Sequence, residues 1–320
     1  MEIASLSNLP QELLEFILEK LENGTDVIRC GLLSVSWRIA VNEVYHKFIP
    51  SMLITSNEDT TCLFNVSTEE QSNILLQDIN GRYICGSTNK WLVTIDSASP
   101  HRIRLLNPLT RTQVDLPCIT TFEFPHLLNL YPITWTIKRV ITSASPLDLD
   151  CLVVAIYGIE GKVAFCRIGD GTWSDIESAR GIVDIMFYKG QLYATDSFGD
   201  IQCWQLDPNP VKLWSRIMDH GDKFYESGQK YLMESLSGDF WVVHRNCDWE
   251  DSENGGYDLS HKSLTTSFKV FKLDMCAKEW SEVENWDGQA LFLGGGNSST
   301  IVSTSRALLR SNSIYFVEGY

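Results

Sequence analysis

The sequence predicts a mainly β protein carrying a small α-helical module at its N-terminus, and three observations support this. Roughly the first 45 residues set apolar side chains at helical spacing. Beyond residue 50 the pattern changes to short alternating strands broken by Gly- and Pro-bearing turns. A Trp-Ser-x-(Ile/Val) signature then recurs along that second part. The expected division is a helical module over residues 1–48 and a repeat domain over residues 51–320, joined near Phe48-Ile49-Pro50.

Taken in order, Pro10 is expected at or near the first position of a helix, with Glu12 in its first turn, where a carboxylate meets the positive end of the helix dipole. Leu13, Leu14, Ile17, Leu18 and Leu21 follow on a broad apolar face. Gly24 is expected to end this helix and Thr25 or Asp26 to cap the next, whose apolar positions are Val27, Ile28, Leu32, Leu33 and Val35. Trp37, Ile39, Ala40, Val44 and Tyr45 suggest a third. A unit of about 40 residues buries too little of its surface to stand alone. It must lie against the downstream domain or against another protein.

Leu9-Pro10-x-Glu12-Leu13-Leu14, Ile17-Leu18-x-x-Leu21 and Ser34-x-Ser36-Trp37-Arg38 resemble an F-box, the segment by which substrate receptors dock on the Skp-type adaptor of a cullin-RING ubiquitin ligase. The usual cysteine and lysine ahead of the tryptophan are replaced by Val35-Ser36. The resemblance implies adaptor contacts from Leu9, Pro10, Leu13, Leu14, Ile17, Leu18 and Trp37, with internal packing expected for Leu21 and Val44.

In the second part, residues 183–188, 191–196, 201–206 and 211–217 read as four strands joined by Lys189-Gly190, Ser197-Phe198-Gly199 and Asp207-Pro208-Asn209-Pro210. Such a meander has the size of one propeller blade. Leu206-Asp207 precedes Trp214-Ser215, Leu273-Asp274 precedes Trp280-Ser281, and Ile168-Gly169-Asp170 precedes Trp173-Ser174. The first two tryptophans in chain order lie 41 residues apart, close to the roughly 40–50 of a blade. The next interval is 66 residues and implies an acidic insertion over about 246–265. Each tryptophan is expected to fill the gap between neighbouring sheets, since a four-stranded sheet cannot cover its own faces. The expected fold is therefore a β-propeller-like, kelch-like repeat domain of five or six blades, six being favoured, with the strand around residues 52–55 needed to complete the last one.

Arg104-Leu105-Leu106-Asn107-Pro108-x-Thr110 with Leu116-Pro117 is a divergent copy of the same unit, and an Asn-Pro-x-Thr turn followed by Leu-Pro resembles plant F-box proteins. Ala290-Leu291-Phe292-Leu293-Gly294 and Ser313-Ile314-Tyr315-Phe316 resemble the KIB-type branch. Together these resemblances imply a non-catalytic substrate-recognition subunit of an SCF-type ligase, reaching cullin and the RING subunit through the adaptor and recruiting an unidentified protein target. Cytoplasm or nucleus is the expected location. Candidate target contacts are Trp135, in an aromatic and proline-rich stretch over residues 122–135, and Trp249 and Tyr257 in the acidic insertion.

The formal net charge of −15 argues against nucleic acid or an anionic membrane as the main partner. Neither a signal peptide nor a membrane-length apolar run is evident. The nine cysteines are scattered without zinc spacing and are expected as reduced thiols; no metal or cofactor is expected. The six histidines are dispersed. Gly294-Gly295-Gly296 lacks the residues of a phosphate loop. Two other functions stay open. One is an adaptor-bound scaffold that assembles no ligase. The other is a carbohydrate-active propeller using paired carboxylates from among Asp184, Asp196, Asp200 and Asp239, although turn chemistry accounts for the last three, which lie beside glycines.

Overall fold

A computed structural model describes the chain apart from residues 1–8, 22–23, 32, 45–50, 56–60, 66–69, 74–76, 109, 124–135, 178, 207–210, 216–227, 250–262, 295–297, 305–308 and 318–320. Three helices come first: α1 (Gln11–Leu18), α2 (Gly24–Cys30) and α3 (Val35–Val44). Pro10 sits just outside α1 as its N-cap, with Leu13 and Leu14 donating their N–H groups to its carbonyl. Gly24 opens α2 and does not end α1. The first helix stops earlier because its chain tightens, Lys20 and Leu21 bonding back three residues to Ile17 and Leu18. Ser34 caps α3, its Oγ accepting the N–H of Trp37 at 3.3 Å.

The β part begins with β1 (Ser51–Thr55), β2 (Thr61–Asn65) and β3 (Glu70–Asn73), an antiparallel sheet in that order. Four four-stranded sheets follow. The first comprises β4 (Arg82–Thr88), β5 (Trp91–Asp96), β6 (Arg102–Leu106) and β7 (Gln113–Cys118). The second comprises β8 (Ile137–Thr142), β9 (Leu152–Tyr157), β10 (Lys162–Arg167) and β11 (Ser174–Asp175). The third comprises β12 (Ile182–Tyr188), β13 (Gln191–Asp196), β14 (Ile201–Gln205) and β15 (Val211–Ser215). The fourth comprises β16 (Gly228–Glu234), β17 (Phe240–Trp249), β18 (Ser263–Asp274) and β19 (Glu279–Glu282). The last sheet has the order β21 (Ser299–Ser303), β20 (Gln289–Leu293), β22 (Ser313–Phe316), with β22 parallel to β20.

Among the described residues these last five sheets are the blades of a propeller, so of the five or six units expected the structure has five, which corrects the favoured count of six. The leading strands β4, β8, β12 and β16 lie side by side, and β16 neighbours β21. The ring returns to its start where the Ser87 N–H donates to Ser298 Oγ at 2.9 Å. Residues 52–55 do not complete the last blade: β1 pairs with β2, and the closing sheet takes its third strand from β22. A strand pattern counts groups of strands; which groups stand next to each other is a matter of packing.

The apolar core lies between blades. Trp91, Val93, Ile95 and Leu105 of the first blade pack with Val153, Ala155 and Tyr157 of the second. Further clusters join the second to the third, the third to the fourth and the fourth to the fifth. The repeated tryptophans occupy outer-strand positions. Trp173 is buried just before β11, and its indole N–H reaches the Pro117 carbonyl of the first blade at 3.0 Å. Trp280, on β19, packs against the cluster between the third and fourth blades. Trp214 lies on β15 opposite Cys203. The Asn107 turn is the divergent copy expected, Asn107 Oδ1 accepting the Thr110 N–H at 3.0 Å between β6 and β7. Gly161 has φ +60 and backs onto β12, where a Cβ would stand 2.3 Å from the Ile182 carbonyl oxygen; no larger residue fits that junction.

Asp184 joins three blades. Its carboxylate is fully buried, lies 2.9 Å from Arg139 Nε on β8 and accepts the Leu232 N–H of β16 at 2.6 Å. Burial pushes its pKa up to about 6, against the opposing pull of Arg139 and the backbone donors. Because the folded value lies above the ordinary one, the associated stability is complete below about pH 4 and is lost as pH rises through about 6. Relative to Asp184→Asn, the wild type should therefore lose stability over that interval, a difference read from urea midpoints across pH. Asp184→Ala leaves Arg139 buried without its counter-charge and should cost about 3–5 kcal/mol at neutral pH. The double change Arg139→Met/Asp184→Leu should recover most of that loss.

Candidate functional site

The helical unit has its own core. Leu14, Leu18, Val27, Trp37, Ala40, Val41 and Val44 are buried together, with Leu9, Leu21 and Cys30 at its margin. That cluster contains no residue of the propeller, and Val44 and Leu21 pack internally as expected. Three of the seven residues implied as adaptor contacts, Leu14, Leu18 and Trp37, thus hold the helices together and are not presented at the surface. Pro10, Leu13 and Ile17 are exposed, and Leu9 is half-buried.

The geometry of α1 explains the split. Leu14 and Leu18, four positions apart, form one stripe that faces inward. Leu13, Phe16 and Ile17 form a second stripe and are 49%, 56% and 36% exposed. A helix apolar on both sides is normally buried on both sides. Beyond α1, Leu33, Val35 and Ile39 are exposed at 64%, 65% and 49%, the last two on one side of α3. Lys20 lies over the Phe16 ring, its Nζ 5.1 Å from the centroid, leaving the rest of that ring in water. Sequence reasoning missed Phe16 and Ile39 as surface residues. Their signal was the i, i+3, i+4 spacing of Leu13, Phe16 and Ile17, which the neighbouring Leu14 and Leu18 merge into one broad face.

The propeller supplies the other candidates. Trp135 and Tyr257 lie outside the described residues, as does the stretch over residues 124–135. Trp249 is placed at the end of β17, opposite Ser263. Its region, expected as an insertion over 246–265, is partly a continuation of the blade: β17 and β18 stay paired out to Trp249 and Ser263, while β16 ends opposite Asn246.

The carboxylates considered for glycoside chemistry have structural partners. Asp184 is held by Arg139 and two backbone N–H groups. Asp196 accepts the N–H groups of Phe198 and Asp200 at 2.9 and 3.0 Å, closing the turn that Asp200 completes. Asp239 pairs with Lys272 at 2.8 Å and takes a hydroxyl from Ser237, which together hold its pKa below the ordinary carboxylate value. Lys230, fully buried, donates to the Ser197 carbonyl at 2.7 Å and ties the same turn to the fourth blade. Among the described residues, no group of acidic, cysteine or histidine side chains has the arrangement of a metal site, and no helix is long and apolar enough to cross a membrane.

The sequence matches the KIB1-4 beta-propeller over residues 63–320 and the F-box domain over residues 6–49. The chain belongs to the KIB1-4 beta-propeller family. The F-box match coincides with the three helices, and the propeller match takes in the five blades. Two Arabidopsis thaliana proteins are similar along nearly the whole chain. "Putative F-box protein At5g55150" is 28% identical over 331 residues, covering 99% of this chain and 86% of the relative. "F-box protein At2g26160" is 27% identical over 343 residues, covering 99% and 97%. KIB-type plant F-box architecture, inferred above from short motifs, is thus shown along the full length.

The division between inward and outward residues is open to measurement. Leu14→Ala removes a fully buried side chain and should destabilise the helical unit by about 2–5 kcal/mol. Leu13→Ser, at an exposed position, should leave stability within about 0.5 kcal/mol. Helical circular dichroism followed through urea unfolding distinguishes the two.

Proposed function

We propose that this chain is the substrate-recognition subunit of an SCF-type ubiquitin ligase. The observation that carries the reading is the second apolar stripe of the F-box helices. Leu13, Phe16 and Ile17 remain outside the module's own core, and that core holds no propeller residue. Covering one such side chain fully contributes about 1.5–3 kcal/mol, enough in aggregate to hold a partner helix face or groove against them. A Skp-type adaptor is the partner that an F-box implies, and cullin and the RING subunit follow through it. Its location would be the cytoplasm or nucleus, where those partners act.

The propeller would hold a protein target beside the charged ubiquitin-conjugating enzyme. Its contribution is proximity, which raises effective concentration without covalent chemistry on this chain. The structural use of Asp184, Asp196 and Asp239 supports a receptor over a carbohydrate-active domain.

Affinity purification of the tagged full chain from plant cells tests the proposal, wild type beside Leu13→Asp/Ile17→Asp. Both positions are exposed, so the variant should stay folded, lose adaptor and cullin together, and retain its target. Capture of adaptor without cullin by the wild type would instead indicate a scaffold. Undiminished adaptor capture by the variant would reject the surface.

A further inference from the structure

We propose that the loop between β8 and β9, residues 143–151, docks the recruited protein, with Leu147 and Leu149 covered by the apolar face of a basic amphipathic helix. This rests on the receptor reading above and assigns the place and chemistry of target contact. The turns after the leading strands stand at one end of the ring. Asn89, after β4, donates to the Thr142 carbonyl at the end of β8, and Tyr188, at the end of β12, donates to the Gly238 carbonyl after β16. Arg139 and Asp184, each third in its strand, pair between β8 and β12. These turns have two residues at 89–90 and 189–190 and five at 235–239, which are ordinary hairpin lengths; the one after β8 has nine. The added length carries exposed apolar surface. Leu147 is 61% exposed, and Leu149, at 81%, is the most exposed large apolar side chain among the described residues.

The loop is held in shape by its own hydrogen bonds. Two consecutive turns form where the Asp148 N–H meets the Ser145 carbonyl at 2.9 Å and the Cys151 N–H meets the Asp148 carbonyl at 3.0 Å. At the base, the Ser143 N–H donates to the Leu152 carbonyl and the Leu152 N–H to Ser143 Oγ, both at 2.9 Å. Pro146 is buried, and the Ile168 N–H of the neighbouring turn donates to the Cys151 carbonyl at 3.2 Å. A tip fixed in advance loses little conformational freedom when a partner covers it.

Charge and spacing identify the occupant. Residues 143–151 include Asp148 and Asp150 and no lysine, arginine or histidine. Both aspartates are exposed, and neither carboxylate is in an ion pair among the described residues. Around the loop, Asp170 adds a third carboxylate; the cations are Arg167, half-buried on β10 opposite Leu152, and Lys90, exposed beside Asn89. The tip itself is apolar and acidic, which lysine or arginine flanking an apolar stripe complements. Two leucines two positions apart span at most about 7 Å, close to the roughly 5–6 Å between i and i+4 side chains on a helix. A second copy of this chain would bring aspartate against aspartate, on a molecule of net charge −15, and an anionic membrane would be repelled likewise.

The test uses the full chain and a synthetic amphipathic peptide of about 18 residues with a leucine stripe and lysine flanks, beside a version with glutamate for lysine and one with serine for leucine. The lysine–leucine peptide should bind at least about tenfold more tightly than either control and slow amide exchange over residues 143–151. Leu147→Ser/Leu149→Ser should weaken it by a similar factor at unchanged melting temperature. Asp148→Lys/Asp150→Lys should reverse the preference, so that the glutamate peptide binds better than the lysine one. Equal binding of either control peptide, unchanged binding by the variants, protection only elsewhere, absence of binding, or self-association through the loop would each overturn the proposal. In plant cells, Leu147→Ser/Leu149→Ser should lose the target and keep adaptor and cullin, the reverse of Leu13→Asp/Ile17→Asp; retention of the target would also overturn it. Failure of the wild type to capture adaptor and cullin would count against the receptor reading alone, since the F-box stripe lies in the other unit.

Discussion

The propeller depends on a ring of sheets closing on itself, and the carboxylate of Asp184 sits where that requirement is concentrated. It faces Arg139 on the blade before it and the Leu232 N–H on the blade after it, so three consecutive blades share one buried anion. Arg139 also extends toward the last blade, its Nη2 lying 3.5 Å from Ser299 Oγ. Burying such charges is expensive in free energy, and the raised pKa of Asp184 records that cost. What the arrangement provides is alignment: the pair forms only when neighbouring blades take their native orientation.

Around that centre the other junctions are made from ordinary materials. Thr88 and Asn89 bond to Thr142 between the first and second blades. Tyr188 reaches Gly238 between the third and fourth, and Gln289 accepts the Leu236 N–H between the fourth and fifth. Apolar clusters fill the same gaps, so the second, third and fourth blades each contribute to two shared cores, while the fifth adds a small cluster of its own around Ala290, Phe292 and Leu309. A repeat built this way is stable through nearest neighbours, which leaves loops and strand extensions at its periphery open to variation.

The helical unit solves its packing by a different route. Two stripes on α1 divide the work: Leu14 and Leu18 hold the three helices together, and Leu13, Phe16 and Ile17 stay in water. A short module can fold on the first stripe and associate through the second. This separation also makes the association testable without loss of fold.

Much of this was legible in the sequence, and the reasons are local. Helical spacing, the change to alternating strands and the Trp-Ser recurrence fix element types, because a side chain's face follows from a period of 3.6 or 2 residues along its own segment. The F-box and KIB-type motifs likewise rest on residues close together in the chain. Tertiary structure alone decided how many sheets close the ring, since β22 returns parallel to β20 and β1 stays with β2. It decided that Leu14 and Trp37 face inward while Leu13 and Ile17 do not, because both pairs look alike until neighbouring helices take one side. It also made Asp184 a buried link, through an arginine 45 positions earlier and a backbone amide 48 positions later. Periodicity carries no information about partners at such separations; only the closed ring brings them within bonding distance.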